Sequence, residues 1–218
     1  MLPMPVEGRS MRENILAAAV QLFAEYGYHA APLRDIARLA GIQAASIYHH
    51  YPNKQSLLVE IMETYMKRLN SQLETLLRTY DDPRERLREA IANHIRLHTS
   101  NKAEFFIIDT ELRSLEGEQR AHIVELRDIY DHLLQGMLQN GMERGVFRPS
   151  DTKVTSYAVI AMCTQVSSWF HPGGRLSVQQ VIDIYYQIIS QGLLLHPEGT
   201  RRLEESVHTL PPSSALGD

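Results

Sequence analysis

Apolar residues recur at helical spacing along most of the chain, and no stretch shows the strict alternation that is typical of a β-strand. The first periodic segment opens at Ser10, where the pattern Ser-x-x-Glu is typical of a capping box, and it stops at Gly27. A second, shorter segment starts beside Pro32, which suits the first turn of a helix because its missing N–H would be unpaired there. We therefore predict two consecutive helices at the N-terminus.

The segment Leu33–Tyr51 contains two short helical patterns separated by Gly41. Ala37, Gly41 and Ile47 stand where a helix-turn-helix needs a small residue at the crossing, a left-handed turn residue and an apolar anchor. The second helix, over about 44–50, is too short to be stable alone, so it must pack on its neighbours. This pattern predicts a helix-turn-helix that reads the DNA major groove; an ordinary helical hairpin with a solvated face is the alternative.

The residues expected to meet DNA lie in and around this second helix, whose outer face is small or polar and therefore suits base edges and phosphates. Tyr48, His49 and Lys54 are candidate phosphate donors. Asn53 can cap the next helix, and a capped helix N-terminus attracts phosphate. The predicted DNA-binding set is Pro32, Leu33, Gln43, Ala44, Ser46, Tyr48, His49 and Lys54.

Charge and cysteine content place limits on the partners and the compartment. The 218-residue chain has a net charge of −4, but phosphate affinity depends on the local patch. Residues 1–56 carry five basic against four acidic side chains, a net +1, which predicts modest non-specific binding that falls steeply with salt. Cys163 is the single cysteine, so we expect a core residue in a reducing cytoplasm. No signal peptide or membrane-spanning segment is apparent, which also predicts a cytoplasmic protein, at the nucleoid.

Downstream, the pattern predicts six further helices, over about 53–77, 82–99, 101–108, 116–144, 150–170 and 177–195. Their start signals include Asp82-Pro83, Ser150 and the Ser177–Gln180 capping box. We predict an all-α protein of about nine helices. A three-helix helix-turn-helix domain occupies residues 1–56, a helical ligand-binding and dimerisation domain occupies 57–200, and a flexible tail follows over 201–218.

The last two long helices are the predicted dimer interface. Both carry faces that could pack in a four-helix bundle, two helices from each chain. A dimer would also bring two reading helices to half-sites roughly 34–36 Å apart. The alternative is that both helices bury inside one subunit. The predicted interface residues are Ala158, Ala161, Gln165 and Ser168 on the first of these helices, and Val178, Val181, Ile182, Tyr185, Ile188, Ile189 and Gly192 on the second.

A small-molecule site is predicted among the helices between these two regions, since ligand sites are usually apolar cavities with a few polar groups. Ordinary core packing is the alternative for each lining residue. Arg113, Arg127 and Arg175 could meet an anionic head group or could be surface charges. The candidate lining residues are Phe105, Phe106, Ile108, Met137, Met162, Trp169 and Phe170.

The stretch from Arg12 to Leu58 resembles the tetracycline-repressor family of bacterial transcriptional regulators. The matching residues are ILAAAVQLFAEYGY and LRDIARLAGIQAASIYHHYPNKQSLL. The resemblance implies a homodimeric, ligand-responsive, DNA-binding regulator that acts as a repressor at a palindromic operator, uses no cofactor and is not an enzyme. The later stretch SSWFHPGGRLS resembles members that sense acyl-coenzyme A thioesters, which implies an effector of that type.

Two departures from the family pattern affect the predicted helix-turn-helix domain. Members often carry Thr or Ser where this chain has Ala31 and Pro32, so a hydroxyl that would cap the second helix and contact phosphate is absent. Members also often carry Gly where Ala45 stands, which we expect to shift base preference and leave the fold intact.

Two histidines of the sequence raise the alternative of a metal-binding protein. His94 and His98 lie four residues apart on one predicted helix, which is a metal-ligand spacing, but no HExxH motif accompanies them. No glycine-rich phosphate loop or serine nucleophile elbow is present. We predict no metal site, and a helical metal-binding or small-molecule-binding protein without DNA recognition is the alternative function.

Overall fold

A computed structural model describes residues 10–194 of the chain. The segments with helical periodicity in the sequence form helices in this structure. The predicted all-α fold with about nine helices is confirmed over this range, whereas the predicted tail 201–218 lies outside the described residues. The nine α-helices are α1 Met11–Tyr26, α2 Leu33–Leu39, α3 Ile47–His50, α4 Lys54–Thr79, α5 Pro83–Ser100, α6 Lys102–Thr110, α7 Gly117–Glu143, α8 Thr152–Trp169 and α9 Val178–Leu193.

Side-chain caps fix four of the predicted helix starts. The Ser10 and Ser177 capping boxes are both formed, each with reciprocal bonds between the cap and the third helical residue. The Asn53 carboxamide accepts the Ser56 N–H at 2.9 Å at the start of α4, and Asp82 caps α5 with Pro83 in its first turn. These caps satisfy backbone N–H groups that have no partner inside the helix.

Two predicted starts are wrong by one residue. Helix α2 begins at Leu33, and Pro32 is its N-cap rather than a first-turn residue, with extended backbone angles and no side-chain cap. Helix α8 is capped by Asp151 rather than Ser150, because the Asp151 carboxylate accepts the Val154 N–H at 2.9 Å. The fixed φ of Pro32 is compatible with an extended cap as well as with a helix, and the hydroxyl of Ser150 bonds Thr155 Oγ1 at 2.9 Å instead of capping α8.

Helices α1 to α3 form the N-terminal head. Its core holds the completely buried Ile36, Ala37 and Ile47, and Gly41 takes a φ of +75° at the turn. The Ile42 N–H donates to the Ala37 carbonyl at 2.9 Å, which closes the turn against the crossing point. The second helix of the motif consists of a 3₁₀ turn over Ala44–Ser46 followed by one turn of α3, so it is held by packing rather than by its length.

The remaining helices form the body, in which α5 is central and packs against α4, α7, α8 and α9. Helix α4 runs from the head along α7, and α1 packs on α6. The body core is mostly aliphatic, but it also encloses two histidines of α5. The head is therefore seated on the body at two places, through α4 and through α6.

Candidate nucleic-acid interface and ligand cavity

The second helix of the motif displays its predicted DNA-binding side chains outward. Gln43, Ala44 and His49 are exposed, Tyr48 is 57% exposed, and Ser46 is half-buried. The neighbouring Ile47 has no exposed surface and holds the helix against the core. A short helix with its polar face outward and one apolar anchor inward has the geometry required for insertion into a major groove.

Lys54 occupies a more enclosed position than the other predicted DNA contacts. Its ammonium donates to the His29 carbonyl at 3.1 Å and lies 4.6 Å from the centre of the Tyr28 ring. Burial lowers the pKa of Lys54. The side chain thus ties the start of α4 to the loop between α1 and α2, and its role as a phosphate donor stays a prediction.

Two basic residues of α2 lie outside the predicted DNA-binding set. Arg34 and Arg38 are strongly exposed, and each pairs with Asp35, Arg38 at 3.0 Å. Their exposure on the helix next to the reading helix makes them candidate phosphate contacts. Both charges are evident in the sequence, but their exposure is seen only in the structure, where Pro32 and Leu33 at the start of α2 are half-buried.

A cavity of about 290 Å³ lies in the body among helices α4 to α8. Its walls are largely apolar and aromatic, and its polar groups are concentrated at the two ends. The lining residues are Tyr65, Met66, Leu69, His94, His98, Phe105, Ile108, Asp109, Arg127, Asp128, Tyr130, Asp131, Tyr157, Ile160 and Thr164. Its size and composition are those of a small-molecule site.

The inner end of the cavity holds the two histidines of α5. Their rings stack with centroids 4.0 Å apart. His94 bonds Tyr130 Oη at 2.9 Å and Thr164 Oγ1 at 3.0 Å, while His98 Nδ1 donates to the His94 carbonyl at 2.9 Å. Burial lowers the pKa of His98 to about 4, and burial together with His98 lowers the pKa of His94. Both rings are therefore neutral at pH 7, and both ring nitrogens of His94 are occupied by protein partners.

The outer end of the cavity is acidic. Asp109 and Asp128 are exposed and mark the mouth, and the half-buried Asp131 accepts from Ser156 Oγ at 2.6 Å. The guanidinium of Arg127 donates to the Ile108 carbonyl; burial lowers its pKa and the nearby Asp109 opposes that shift. The charged residues of the lining are thus three carboxylates and one guanidinium, a net formal charge of −2.

Of the seven predicted lining residues, the cavity contains Phe105 and Ile108, and it also contains Arg127. The other five lie elsewhere. Phe106, Met162 and Trp169 are exposed on their helices, Phe170 is buried in the core, and Met137 lines a separate open groove beside Leu77 and Arg86. Neighbouring positions on a helix point in different directions, so Phe105 and Phe106 cannot both face the cavity.

A chain of hydrogen bonds joins the body to the head at the end of α6. Glu111 is buried; its Oε1 accepts the Tyr28 N–H at 3.2 Å, and its Oε2 accepts from Ser114 Oγ at 2.7 Å. Ser114 Oγ also bonds His29 Nε2 at 3.1 Å. Because α6 also carries Phe105 of the cavity wall, one nine-residue helix touches both the cavity and the head.

An exposed apolar surface covers the outer sides of α8 and α9. All four predicted residues of α8, Ala158, Ala161, Gln165 and Ser168, are exposed. The predicted single face of α9 is wrong, because it divides: Val181, Ile182 and Ile189 are buried in the subunit, while Ile188 is 53% exposed with Gly192. The predicted interface places the whole apolar arc of α9 outward, but part of this arc packs on α5. The exposed apolar residues here are Val154, Tyr157, Met162, Trp169, Ile184 and Ile188.

A helix-turn-helix head on a helical body with an internal cavity is the architecture of a ligand-responsive, DNA-binding transcriptional regulator. Two family models match the chain, that of the bacterial regulatory proteins of the tetR family over residues 15–61 and that of the tetracyclin repressor-like C-terminal domain over residues 80–193. The chain belongs to the tetR family, as its N-terminal resemblance predicts.

Several members of the family are similar over most of their length. The HTH-type transcriptional repressor KstR2 of Mycolicibacterium smegmatis is 30% identical over 191 residues, covering 87% of this chain and 93% of the relative. The crystal structure of the regulator PfmR from Thermus thermophilus has a TM-score of 0.76 at 34% identity, covering 82% of this chain and 97% of that one. That of AibR in complex with isovaleryl coenzyme A and operator DNA has a TM-score of 0.76 at 30% identity, with the same coverage.

The described residues bear on two other classes of protein, those that span a membrane and those that bind a metal. No helix within residues 10–194 is long and apolar enough to span a membrane. The same part of the chain contains no group of three or more His, Cys, Asp or Glu side chains arranged to hold a metal ion. His94, considered above as a metal ligand, instead uses both ring nitrogens in hydrogen bonds to protein side chains.

Proposed function

We propose that the protein is a homodimeric transcriptional repressor that binds a palindromic operator through the residues around α3 and is released by a small molecule. The observation that carries this proposal is the outward display of Gln43, Tyr48 and His49 on a helix that Ile47 anchors. The names of relatives such as the repressor KstR2 support repression as the direction of control. Occlusion of a promoter by the bound dimer is the simplest mechanism.

The exposed surface of α8 and α9 supports pairing of two copies. Its apolar residues would be unfavourably hydrated in an isolated subunit, and exposed patches of this kind mark interaction sites. The small residues Ala158 and Ala161 permit close approach of helices in a four-helix bundle. Pairing there would carry two heads, which a palindromic operator requires at roughly 34–36 Å.

The cavity supports a small-molecule effector. An acyl-coenzyme A thioester is the candidate that the name of the AibR complex suggests, since that relative is described with isovaleryl coenzyme A and operator DNA. An effector releases DNA only when it binds more tightly to the conformation with low operator affinity. The contact of Glu111 with the head provides a route by which a shift of α6 would be felt there.

This function requires binding rather than catalysis, so we infer that the protein is not an enzyme and uses no cofactor. Its site of action would be the nucleoid in the cytoplasm, where operator DNA is found. Within this scheme the body serves to pair the heads and to sense the effector.

The decisive experiment is selection and sequencing of DNA fragments bound by the purified protein, which we expect to return a palindrome. Tyr48→Ala should then weaken operator binding by about tenfold or more, because a polar contact worth about 0.5–1.5 kcal/mol is lost twice in a dimer. Tyr26→Ala is the matched control: this exposed aromatic residue ends α1 and lies outside the helix-turn-helix. Failure to enrich any sequence, or equal loss of affinity in both variants, would overturn the proposal.

A further inference from the structure

The cavity carries chemical information about the ligand that the proposed function leaves open. We infer that the cavity selects an apolar ligand bearing a hydrogen-bond donor, a hydroxyl or a protonated amine, and rejects one that bears a carboxylate instead. This inference rests on the proposed function in one respect, since it takes the cavity to be the effector site.

The first observation is an unused acceptor at the inner end. His98 is 4% exposed and lines the cavity. Its Nδ1 must be the protonated nitrogen, because it bonds a carbonyl oxygen, which only accepts. The ring is neutral at pH 7, so Nε2 carries a lone pair, and this nitrogen has no partner among the described residues. Because His98 lines the cavity, a ligand donor bound there would satisfy this acceptor.

The second observation is the charge at the outer end. Asp109, Asp128 and Asp131 outnumber Arg127, whose guanidinium is already bonded to the Ile108 carbonyl. For a ligand carboxylate at an assumed separation of about 5 Å, two net negative charges would weaken binding by roughly tenfold even at the dielectric constant of water. A ligand ammonium gains by a similar factor. A neutral hydroxyl is not affected by this charge.

Together the two ends describe one ligand class. The walls between them are formed by Met66, Leu69, Phe105 and Ile160, which suit a hydrocarbon body. An acyl thioester would meet the requirement if its acyl chain carries a hydroxyl group, whereas a free fatty acid would not. The cavity thus distinguishes ligands by donor capacity and by charge, with the hydrocarbon body in common.

The test uses four probes with one hydrocarbon chain: 1-octanol, octylamine, methyl octyl ether and octanoate. Binding to the full chain is measured by calorimetry. We expect 1-octanol and octylamine to bind, the ether to bind roughly three- to tenfold more weakly because it lacks a donor, and octanoate to bind at least tenfold more weakly. Octanoate binding as tightly as 1-octanol would overturn the inference, as would equal binding of the ether and the alcohol.

Variants assign each effect to its residue. Asp109 and Asp128 are exposed, so Asp109→Asn and Asp128→Asn should leave the fold intact. Both variants should bind octanoate more tightly and octylamine more weakly than the wild type. Asp183→Asn is the control, because Asp183 is an exposed carboxylate of α9 that pairs with Arg88. His98→Phe should remove the advantage of the alcohol over the ether. Should that variant not fold, the aspartate variants still decide the charge effect and the alcohol-to-ether ratio in the wild type decides the donor effect.

The outcomes separate this inference from the function on which it rests. A wrong order of affinities with intact operator release sinks the inference and keeps the regulator. If none of the probes binds while the operator still does, the cavity is not a ligand site, and both the inference and the effector part of the proposed function are rejected. Loss of operator recognition itself is judged separately, by the selection experiment.

Discussion

Replacing Glu111 by alanine should loosen the connection between the head and the body without touching the reading helix. In the structure this buried carboxylate accepts the Tyr28 N–H at 3.2 Å from the loop between α1 and α2. It also accepts from Ser114, which bonds His29 in the same loop. Removing the carboxylate leaves the Tyr28 N–H buried and without an acceptor, because Tyr28 is itself buried.

The size of the effect follows from this geometry. A hydrogen bond to a charged group contributes about 1.5–3 kcal/mol, and a buried donor left unpaired costs a similar amount. Since about 1.4 kcal/mol corresponds to a factor of ten, hydrogen exchange at the Tyr28 amide should accelerate by roughly 10- to 100-fold. The free energy of unfolding should fall by about 1.5–3 kcal/mol. Amides in the core of α5 should remain the slower-exchanging ones relative to the amides of residues 26–31.

The assay is hydrogen exchange followed by mass spectrometry on peptides spanning residues 26–31, with denaturant unfolding measured alongside. Glu104→Ala is the matched control, because Glu104 lies on α6, the helix that Glu111 caps, but it pairs with Arg68 of α4 at 2.6 Å. We expect less than about 1 kcal/mol there, as for other partly exposed pairs. If Glu111→Ala leaves the protection of residues 26–31 unchanged, the carboxylate does not tether the head and the reasoning is refuted.

Three further predictions concern stability and assembly. Gly141→Ala should destabilise the fold strongly, because an added Cβ would lie 2.1 Å from Cδ2 of Phe147, whereas Gly136→Ala meets nothing within 4 Å and should be neutral or stabilising in a denaturation series. Ile188→Glu should shift sedimentation toward a monomer by placing a charge on the exposed α9 face, and an unchanged dimer would exclude that face. The pKa of His98 is lowered from 6.5 to about 4, so the unfolded state binds more protons than the folded state between these two pH values. The free energy of unfolding should therefore fall as the pH drops through this window, by about 3 kcal/mol at pH 4. Urea titrations at pH 7 and pH 4 measure this difference.

Local sequence signals predicted local structure well. The capping boxes at Ser10 and Ser177 and the turn at Gly41 depend on hydrogen bonds and backbone angles within a few residues, so the chain itself contains the information. Pro32 shows the limit of such signals. A proline suits both the cap and the first helical position, and the difference of one residue depends on the extended backbone that the head imposes.

The cavity could be predicted only in part, because helical spacing shows which residues share a face but not what that face meets. Phe105 and Phe106 are adjacent and equally apolar, yet only Phe105 reaches the cavity. The same limit explains α9, where Val181 packs inside the subunit and Ile188 does not. The His94–His98 spacing predicts that both side chains share one helix face, but their hydrogen-bond partners Tyr130 and Thr164 lie 36 and 70 positions from His94, beyond the reach of local spacing.

The position of α8 raises the question of how the effector acts. Thr164 lines the cavity, while Ala161 and Gln165, one turn before it and one residue after it, are exposed, so the cavity wall and the proposed dimer surface lie side by side on this helix. A ligand can therefore bias the heads by two routes, through α8 and the pairing of subunits or through α6 and Glu111. The routes are separable because Glu111→Ala interrupts only the second. We expect the ratio of operator affinities with and without the best-binding octyl probe to fall toward one in that variant; a ratio equal to the wild-type value would assign the coupling to α8.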